Sequence, residues 1–367
     1  MKIAVLLGGD SVERDVSIAS GKGIIDALIR RGHEVAPIDP ALPLEGQSGL
    51  ALDTHISDEP SSVPAPLPVE KRFEWVSSPA VAGADVVFIA LHGGDGENGV
   101  VQGVLEMAGI PYTGTSVLGS ALAMNKDRAK ALFREAGVNT ARHVLVGKSL
   151  QSAGFGTQGK VERNGSLFNV GGIDVDASEL PDMVEEKVGF PVVVKPNSQG
   201  SSVGFSFVKE RSAITDAIVK AMSYGGGVIV ERYIPGREIT VAVLNGKPLP
   251  IVEIVPEGGF YDYRRKYTKG TSRYIVPAEI EGTLAGRIQA EGVRAYNALS
   301  CRDYARVDFR LSEDGESFCL EVNTLPGMTE LSLVPMAARE AGMEFDDLVE
   351  TVARMAYSRK ERMKQGE

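Results

Sequence analysis

The stretch RVDFRLSEDGESFCLEVN, residues 306–323, contains the pattern on which our interpretation of the fold rests. Polar and apolar residues alternate in both of its halves, which is typical of half-buried β-strands. The Asp314-Gly315 pair between the halves favours a two-residue turn, so we expect an antiparallel hairpin. This pairing register then decides which side chains meet on one face of a sheet.

The expected register brings acidic side chains together. Asp308 lies opposite Glu321, and Arg306 lies opposite Asn323, all on one face. Like charges directly opposite each other destabilise a sheet. Carboxylate and amide oxygens are ligands that Mg²⁺ accepts, and a bound cation would offset the repulsion. We therefore predict a metal site here, the alternative being a solvated polar face.

Three loops carry further candidate chemistry. Asn323 leads into TLPGMT, residues 324–329, where Pro and Gly favour a rigid loop with backbone amides available as oxyanion donors. The segment KPNSQGSSVG, residues 195–204, offers small residues and a lysine that suit phosphate binding, the alternative being a flexible turn. Three tyrosines and three cations within residues 260–267 predict a loop that closes on an anion, or else an exposed charged loop.

The N-terminal part of the sequence has the pattern of an α/β domain. A short apolar run at Ile3–Leu7 precedes helical spacing over residues 16–31, and further strands are expected at 35–38 and 86–91. This order predicts a small doubly wound parallel sheet ending near residue 115. The proline-rich segment 40–68 and the segment 150–175, in which Asn164-Gly165 favours a hairpin, read as additions without assigned chemistry.

The loop GDGENG, residues 94–99, matches G-x-G-x-x-G and follows a predicted strand. This pattern would favour a dinucleotide-dependent oxidoreductase. Asp95 and Glu97, however, place carboxylates where a pyrophosphate would bind, and no acidic residue follows about 20 positions later. We therefore keep that function only as an alternative.

Composition limits the class of protein. The 367 residues suggest about two or three domains, and a net charge of −10 argues against a general nucleic-acid or membrane binder. No apolar run approaches the ~20 residues of a membrane span. Two cysteines without metal-type spacing favour a reducing, cytoplasmic compartment.

Taken together, these motifs resemble the D-alanine–D-alanine ligases of the ATP-grasp superfamily. The resemblance rests on segments in the family's order, at residues 8–17, 91–93, 109–114, 195–204, 261–267 and 306–333. It implies an ATP-grasp fold, mixed α/β and α+β, with an N-terminal doubly wound parallel-sheet domain and ATP bound between two sheets. The expected domains are 1–115, 116–231 and 232–367.

The resemblance also implies roles for individual residues. Those expected to bind ATP are Lys126, Lys195, Glu231, Arg232, Ile234 and Glu238, and those expected to bind two Mg²⁺ ions, with Mn²⁺ as an alternative, are Asp308, Glu321 and Asn323. Those expected at the first D-alanine are Glu13, Ser201, Tyr267 and His92. Arg306 and the Gly327 amide correspond to the oxyanion hole, Ser332 and Leu333 to the site of the second D-alanine's carboxylate, and Lys266 to a contact with the γ-phosphate.

The implied reaction joins two D-alanines through an acyl phosphate, for peptidoglycan synthesis. The implied partners are ATP and D-alanine, with no nucleic acid or membrane, and the implied assembly is a homodimer. Tyr267 favours an amine as the second substrate, while D-lactate and D-serine remain alternatives on the same fold.

Overall fold

The structure, a computed structural model, describes residues 1–47, 50, 52, 56, 61–148, 167–200, 203–256 and 271–365. Among these residues, no helix is long and apolar enough to cross a membrane. The strands are β1 (Lys2–Leu6), β2 (Glu34–Ile38), β3 (Val86–Ile89), β4 (His143–Lys148), β5 (Leu167–Val170), β6 (Ile173–Asp176), β7 (Val192–Pro196), β8 (Ser206–Val208), β9 (Val228–Arg232), β10 (Arg237–Leu244), β11 (Lys247–Pro248), β12 (Val252–Pro256), β13 (Ser272–Ile275), β14 (Tyr304–Leu311) and β15 (Ser317–Asn323).

Helices connect these strands and cover the sheets. They are α1 (Arg14–Arg30), α2 (Pro79–Ala82), α3 (Gly94–Glu97), α4 (Val100–Met107), α5 (Val117–Met124), α6 (Lys126–Glu135), α7 (Leu180–Lys187), α8 (Ile214–Met222), α9 (Gly282–Ala298), α10 (Leu333–Glu340) and α11 (Phe345–Gln365).

The first sheet is parallel, in the order β2-β1-β3, as the N-terminal pattern predicts. Strands β1 and β3 are buried almost throughout because both faces of the sheet are covered. Part of this cover comes from the far end of the chain, since Leu348 and Val352 of α11 share a hydrophobic core with Ile24 and Leu28 of α1. The C-terminal helix therefore closes the N-terminal unit.

The second sheet is antiparallel, in the order β6-β5-β4-β9-β7-β8, and packs against α7 and α8. Its β5–β6 hairpin turns at Gly171-Gly172. The hairpin expected around Asn164-Gly165 lies largely outside the described residues.

The third sheet has the order β13-β12-β10-β14-β15. Its apolar face packs against α9 and also against α6, since Phe133 shares a core with Ile239 and Ile288. Helix α6 thus packs on the third sheet although it precedes the second in the chain. The domain limits near residues 115 and 231 stay predictions.

The β14–β15 hairpin has the expected acidic pair, but its turn differs from the predicted one. Asp308 lies opposite Glu321, as expected, but Phe309 lies opposite Cys319, one step out of the expected register. The predicted two-residue turn is wrong, because residues 312–316 form a longer loop. The Ser312 amide donates to the Glu316 carbonyl at 2.9 Å, so the pairing of the two strands ends at these residues and not at Asp314 and Gly315. A β-bulge at Leu320 absorbs the difference before the acidic pair is reached.

The packing of α11 on α1 predicts a stability effect. Leu348 is fully buried, so Leu348→Ala removes apolar contacts and leaves a cavity, and we expect a loss of about 2–5 kcal/mol in the free energy of unfolding. Leu118→Ala, at a leucine that is 60% exposed on α5, is the matched control, with an expected change of about 0.5 kcal/mol or less. Urea unfolding of both variants measures the difference, and equal losses would contradict this assignment of the core.

Candidate active site

Two adjoining cavities lie where the three sheets approach one another. The larger has a volume of about 420 Å³ and the narrower one of about 130 Å³. Lys126, Gly200 and Glu321 line both cavities. A ligand in one cavity therefore lies next to a ligand in the other.

The residues predicted from the sequence surround these cavities. Those lining the larger cavity include Glu13, His92, Arg306, Asn323, Gly327, Ser332 and Leu333. Those lining the narrower cavity include Lys195, Glu231, Arg232, Ile234, Glu238 and Asp308. Ser201, Lys266 and Tyr267, together with the expected closing loop, lie outside the described residues. Every predicted site residue that the structure describes therefore lines at least one of the two cavities.

Arg306 and Asp308 form a buried, bidentate ion pair on β14. The Arg306 Nε donates to Asp308 Oδ1 at 2.9 Å, and its terminal nitrogen donates to Oδ2 at 2.8 Å. Thr240 of β10 donates to the same Oδ1 at 2.6 Å. Such a fork fixes the orientation of a guanidinium. Arg306 is thus presented to the larger cavity while Asp308 lines the narrower one.

Lys126 begins α6 and is held between two sheets. Its Nζ donates to the Gln199 carbonyl at 2.7 Å and lies 3.3 Å from Glu321 Oε2. Burial lowers the pKa of Lys126, the charge of Glu321 opposes that shift, and Lys195 adds to it. This lysine is therefore a donor at the junction of the two cavities.

Asn197, which the sequence analysis did not single out, fixes the start of α6 to the glycine-rich loop, residues 195–204. Its side chain accepts from the Asp127 amide at 2.9 Å and donates to the Asn125 side chain at 3.0 Å. Its carbonyl accepts from the Lys126 amide at 3.1 Å. The side chain and the carbonyl of Asn197 thus hold the first turn of α6, which begins with Lys126.

Glu231 is a buried carboxylate between two lysines. Its Oε1 lies 2.6 Å from Lys195 Nζ, and its Oε2 lies 3.0 Å from Lys130 Nζ. Burial alone would raise the pKa of Glu231, but the charges of Lys130 and Lys195 outweigh it and hold that pKa at about 2. The carboxylate is therefore ionised at neutral pH.

Lys130 is a second residue that the sequence analysis missed. It is completely buried on α6, whose residues Ala129 and Phe133 belong to the core of the third sheet. The sequence did contain a signal for its role, because a lysine at a core-facing position of a helix needs a buried partner.

The connection between β9 and β10 is also held by an unpredicted residue, Arg310. Its Nε donates to the Ile234 carbonyl at 3.1 Å, and a terminal nitrogen donates to the Gly236 carbonyl at 2.7 Å. A further nitrogen lies 3.4 Å from Glu238 Oε2. Arg310 therefore shapes the wall of the narrower cavity.

His92 is linked to the loop that contains Gly327. Its Nε2 lies 3.1 Å from the Ser20 hydroxyl, and that hydroxyl accepts from the Met328 amide at 3.2 Å. Glu97 lies 3.8 Å from the other ring nitrogen, and its pKa is raised by burial and by the charge of Glu13, with His92 opposing. The Gly94–Gly99 loop thus places an acidic group in the larger cavity, which disfavours the pyrophosphate alternative.

The Gly327 position is sterically restricted. A Cβ there would lie 3.0 Å from the Ser332 hydroxyl, which accepts from the Thr329 amide at 3.0 Å. The loop therefore closes tightly on the start of α10.

Comparison with known families agrees with this geometry. Residues 2–115 match the family described as D-ala D-ala ligase N-terminus, and residues 166–354 match the family described as D-ala D-ala ligase C-terminus. A D-alanine–D-alanine ligase from Geobacter sulfurreducens is 42% identical over 96% of this chain and 92% of its own. One from Syntrophotalea carbinolica is 40% identical over 98% of this chain and 97% of its own.

Solved structures show the same fold. D-alanine–D-alanine ligase from Bacillus anthracis, crystallised with ATP, has a TM-score of 0.72 and 28% identity and covers 99% of both chains. The VanG D-Ala:D-Ser ligase from Enterococcus faecalis has a TM-score of 0.71 and 28% identity, over 96% of this chain and 98% of its own. The chain belongs to the D-alanine–D-alanine ligase family, the ATP-dependent ligases with the ATP-grasp fold.

Proposed function

We propose that the narrower cavity binds ATP, that the larger one binds two D-alanines, and that their junction forms D-alanyl-D-alanine through an acyl phosphate. The observation that carries this proposal is the shared lining by Lys126, Gly200 and Glu321. It brings a phosphoryl group in one cavity next to a carboxylate in the other, as phosphoryl transfer requires.

In the narrower cavity we assign the phosphates to Lys195 and Lys126 and the adenine to the segment from Glu231 to Ile234. Glu231 Oε2 is buried and has no well-directed hydrogen-bond donor among the described residues, although Lys130 lies nearby. A carboxylate oxygen accepts more than one hydrogen bond, so Glu231, which lines the narrower cavity, can accept from the amino group of adenine while Lys130 stays beside Oε2. Glu238 is assigned to the ribose.

In the larger cavity we assign Glu13 to the ammonium of the first D-alanine, because it is a buried carboxylate at the start of α1. His92 is assigned to the same substrate. Ser332 and Leu333 are assigned to the second D-alanine. The roles of Ser201, Lys266 and Tyr267 stay predictions from the resemblance, as does the homodimer.

The donor set at the junction fits Mg²⁺, with Mn²⁺ as the alternative. Asp308 and Glu321 are direct neighbours across β14 and β15, and Asn323 follows on the same strand. The described residues contain no group of three or more His, Cys, Asp or Glu side chains that would hold a metal. Mg²⁺ commonly uses one or two carboxylates and completes its shell with waters and substrate phosphates. Bound there, the ion would neutralise phosphate charge.

The protein's own side chains supply the remaining chemistry. The first D-alanine carboxylate attacks the γ-phosphorus of ATP, and ADP leaves. The amine of the second D-alanine then attacks the acyl carbon, a peptide bond forms, and phosphate leaves. Negative charge develops on the acyl oxygen, where the oriented Arg306 guanidinium and the Gly327 amide stabilise it.

A product assay tests the proposed function. Purified protein with ATP, Mg²⁺ and D-alanine is expected to release ADP, phosphate and D-alanyl-D-alanine. Competition among D-alanine, D-serine and D-lactate is expected to favour D-alanine as the second substrate. A folded protein that shows no D-alanine-dependent phosphate release would contradict the proposal, and a preference for D-lactate would contradict the interpretation of Tyr267.

Glu321→Gln tests the metal assignment. Loss of one carboxylate charge at the junction is expected to lower kcat by about 10²-fold or more while the fold is retained. Glu313→Gln, on the exposed hairpin loop, is the matched control and is expected to keep the parent rate. Steady-state kinetics of both variants measure kcat, and circular dichroism shows whether the fold is retained. Activity of Glu321→Gln within a few-fold of the parent would show that the ligand assignment is wrong.

Lys195→Ala tests the phosphate assignment. Removing the cation that faces the narrower cavity is expected to raise the KM for ATP by about tenfold or more, since charge-assisted bonds to phosphate are strong. Lys187→Ala, at an exposed lysine on α7, controls for the loss of a positive charge. Initial rates at varied ATP concentrations give the KM of each variant. An unchanged KM for ATP in Lys195→Ala would contradict the assignment of Lys195 to the phosphates.

A further inference from the structure

Lys130 has contacts that neither cavity explains. Its side chain is fully buried, its Nζ donates to the Thr140 hydroxyl at 2.7 Å, and it lies 3.0 Å from Glu231 Oε2. It is not among the residues that line the two cavities. A buried lysine is costly unless its charge is paired, and among the described residues Glu231 is the carboxylate that pairs with Lys130.

Lys195 shares that carboxylate but differs in its access to ligand. Its Nζ lies 2.6 Å from Glu231 Oε1, while its side chain is 14% exposed and lines the narrower cavity. Glu231 therefore has one cation that a ligand can reach and another, Lys130, that a ligand cannot reach.

We propose that Lys130 is the permanent counterion of Glu231, a positioning residue that lets Lys195 turn to the phosphates without leaving a buried carboxylate unpaired. The inference rests on the proposed function in one respect, namely that nucleotide phosphates enter the narrower cavity. A lone buried carboxylate either destabilises the complex or takes up a proton. With Lys130 in place, Glu231 stays ionised and remains an acceptor throughout binding.

The other groups around Glu231 do not replace Lys130. His143 of β4 lies opposite Glu231, but burial lowers its pKa, and its ring contacts Asp127. Lys126 of α6 is already paired with Glu321. From β7, the group that faces Glu231 is Lys195 itself.

The proposal predicts a proton linkage in Lys130→Met. Without Lys130, Lys195 alone holds Glu231 ionised in the free protein. ATP then draws Lys195 away, the pKa of Glu231 rises on binding, and a proton is taken up. Affinity for ATP therefore falls as pH rises, and the apparent Kd increases by up to about tenfold per pH unit, the limiting slope for one linked proton.

The measurement is calorimetric titration of ATP with excess Mg²⁺ and no D-alanine, between pH 7 and 9. Two buffers with different ionisation enthalpies at each pH count the protons, and the parent protein corrects for protons on ATP itself. Lys360→Met is the matched control, because Lys360 lies on α11 beside Asp85, away from both cavities. Thr140→Val removes one anchor of Lys130 but keeps its charge.

We expect extra proton uptake in Lys130→Met alone, and its loss in Lys130→Met/Glu231→Gln, where no carboxylate remains. If Lys130→Met does not fold, Lys130→Gln replaces it, and we expect the same extra proton uptake on ATP binding. Parent-like affinity without proton uptake, or weaker binding that is equal at every pH, overturns the counterion role. A parent protein that binds no ATP contradicts the proposed function as well, so the two failures are distinguishable.

Discussion

The pairing of β14 with β15 is the constraint on which both cavities depend. Strict alternation along β15 would place Leu320 on the core face beside Val322. The bulge instead leaves Cys319 and Val322 in the core and turns both Leu320 and Glu321 toward the narrower cavity. One extra residue thus supplies an apolar wall and an acidic group at adjacent positions, which is a recognised use of bulges beside active sites.

The charges at the site show why net charge is a poor guide to local chemistry. The chain carries ten net negative charges, yet Lys126 and Lys195 line the cavity that we assign to a polyanion, and Lys130 lies behind them beside Glu231. Each of these cations contacts a carboxylate, so none is buried without a compensating charge. We propose that ATP and Mg²⁺ enter a set of charges that is already nearly balanced.

Sequence patterns predicted the fold where periodicity is strong. The register counted from the expected Asp314-Gly315 turn placed Asp308 opposite Glu321, and this pair is observed because the bulge at Leu320 offsets the longer turn. The turn was wrong because Asp314-Gly315 also fits a longer loop. The Gly315 amide donates to the Ser312 carbonyl at 3.0 Å, and Gly315 has a φ of 81°, as in hairpin loops that place a left-handed glycine after the turn. Asn197 was missed because its partners Asn125 and Asp127 are distant in sequence. The core-facing position of Lys130 could have been noticed in the sequence, but its partner Glu231 is identified only once helix α6 is placed.

Lys126 illustrates how such distant contacts act together. Its helix packs on the third sheet through Phe133, whereas Asn197 ties its backbone to the loop of the second sheet. Its ammonium meets both the glycine-rich loop and Glu321. A relative shift of the two sheets would therefore have to break several hydrogen bonds or move this lysine with it. For this reason the position of Lys126 depends on the relative placement of both sheets, and the proposed transfer of a phosphoryl group from one cavity to the other requires that same placement.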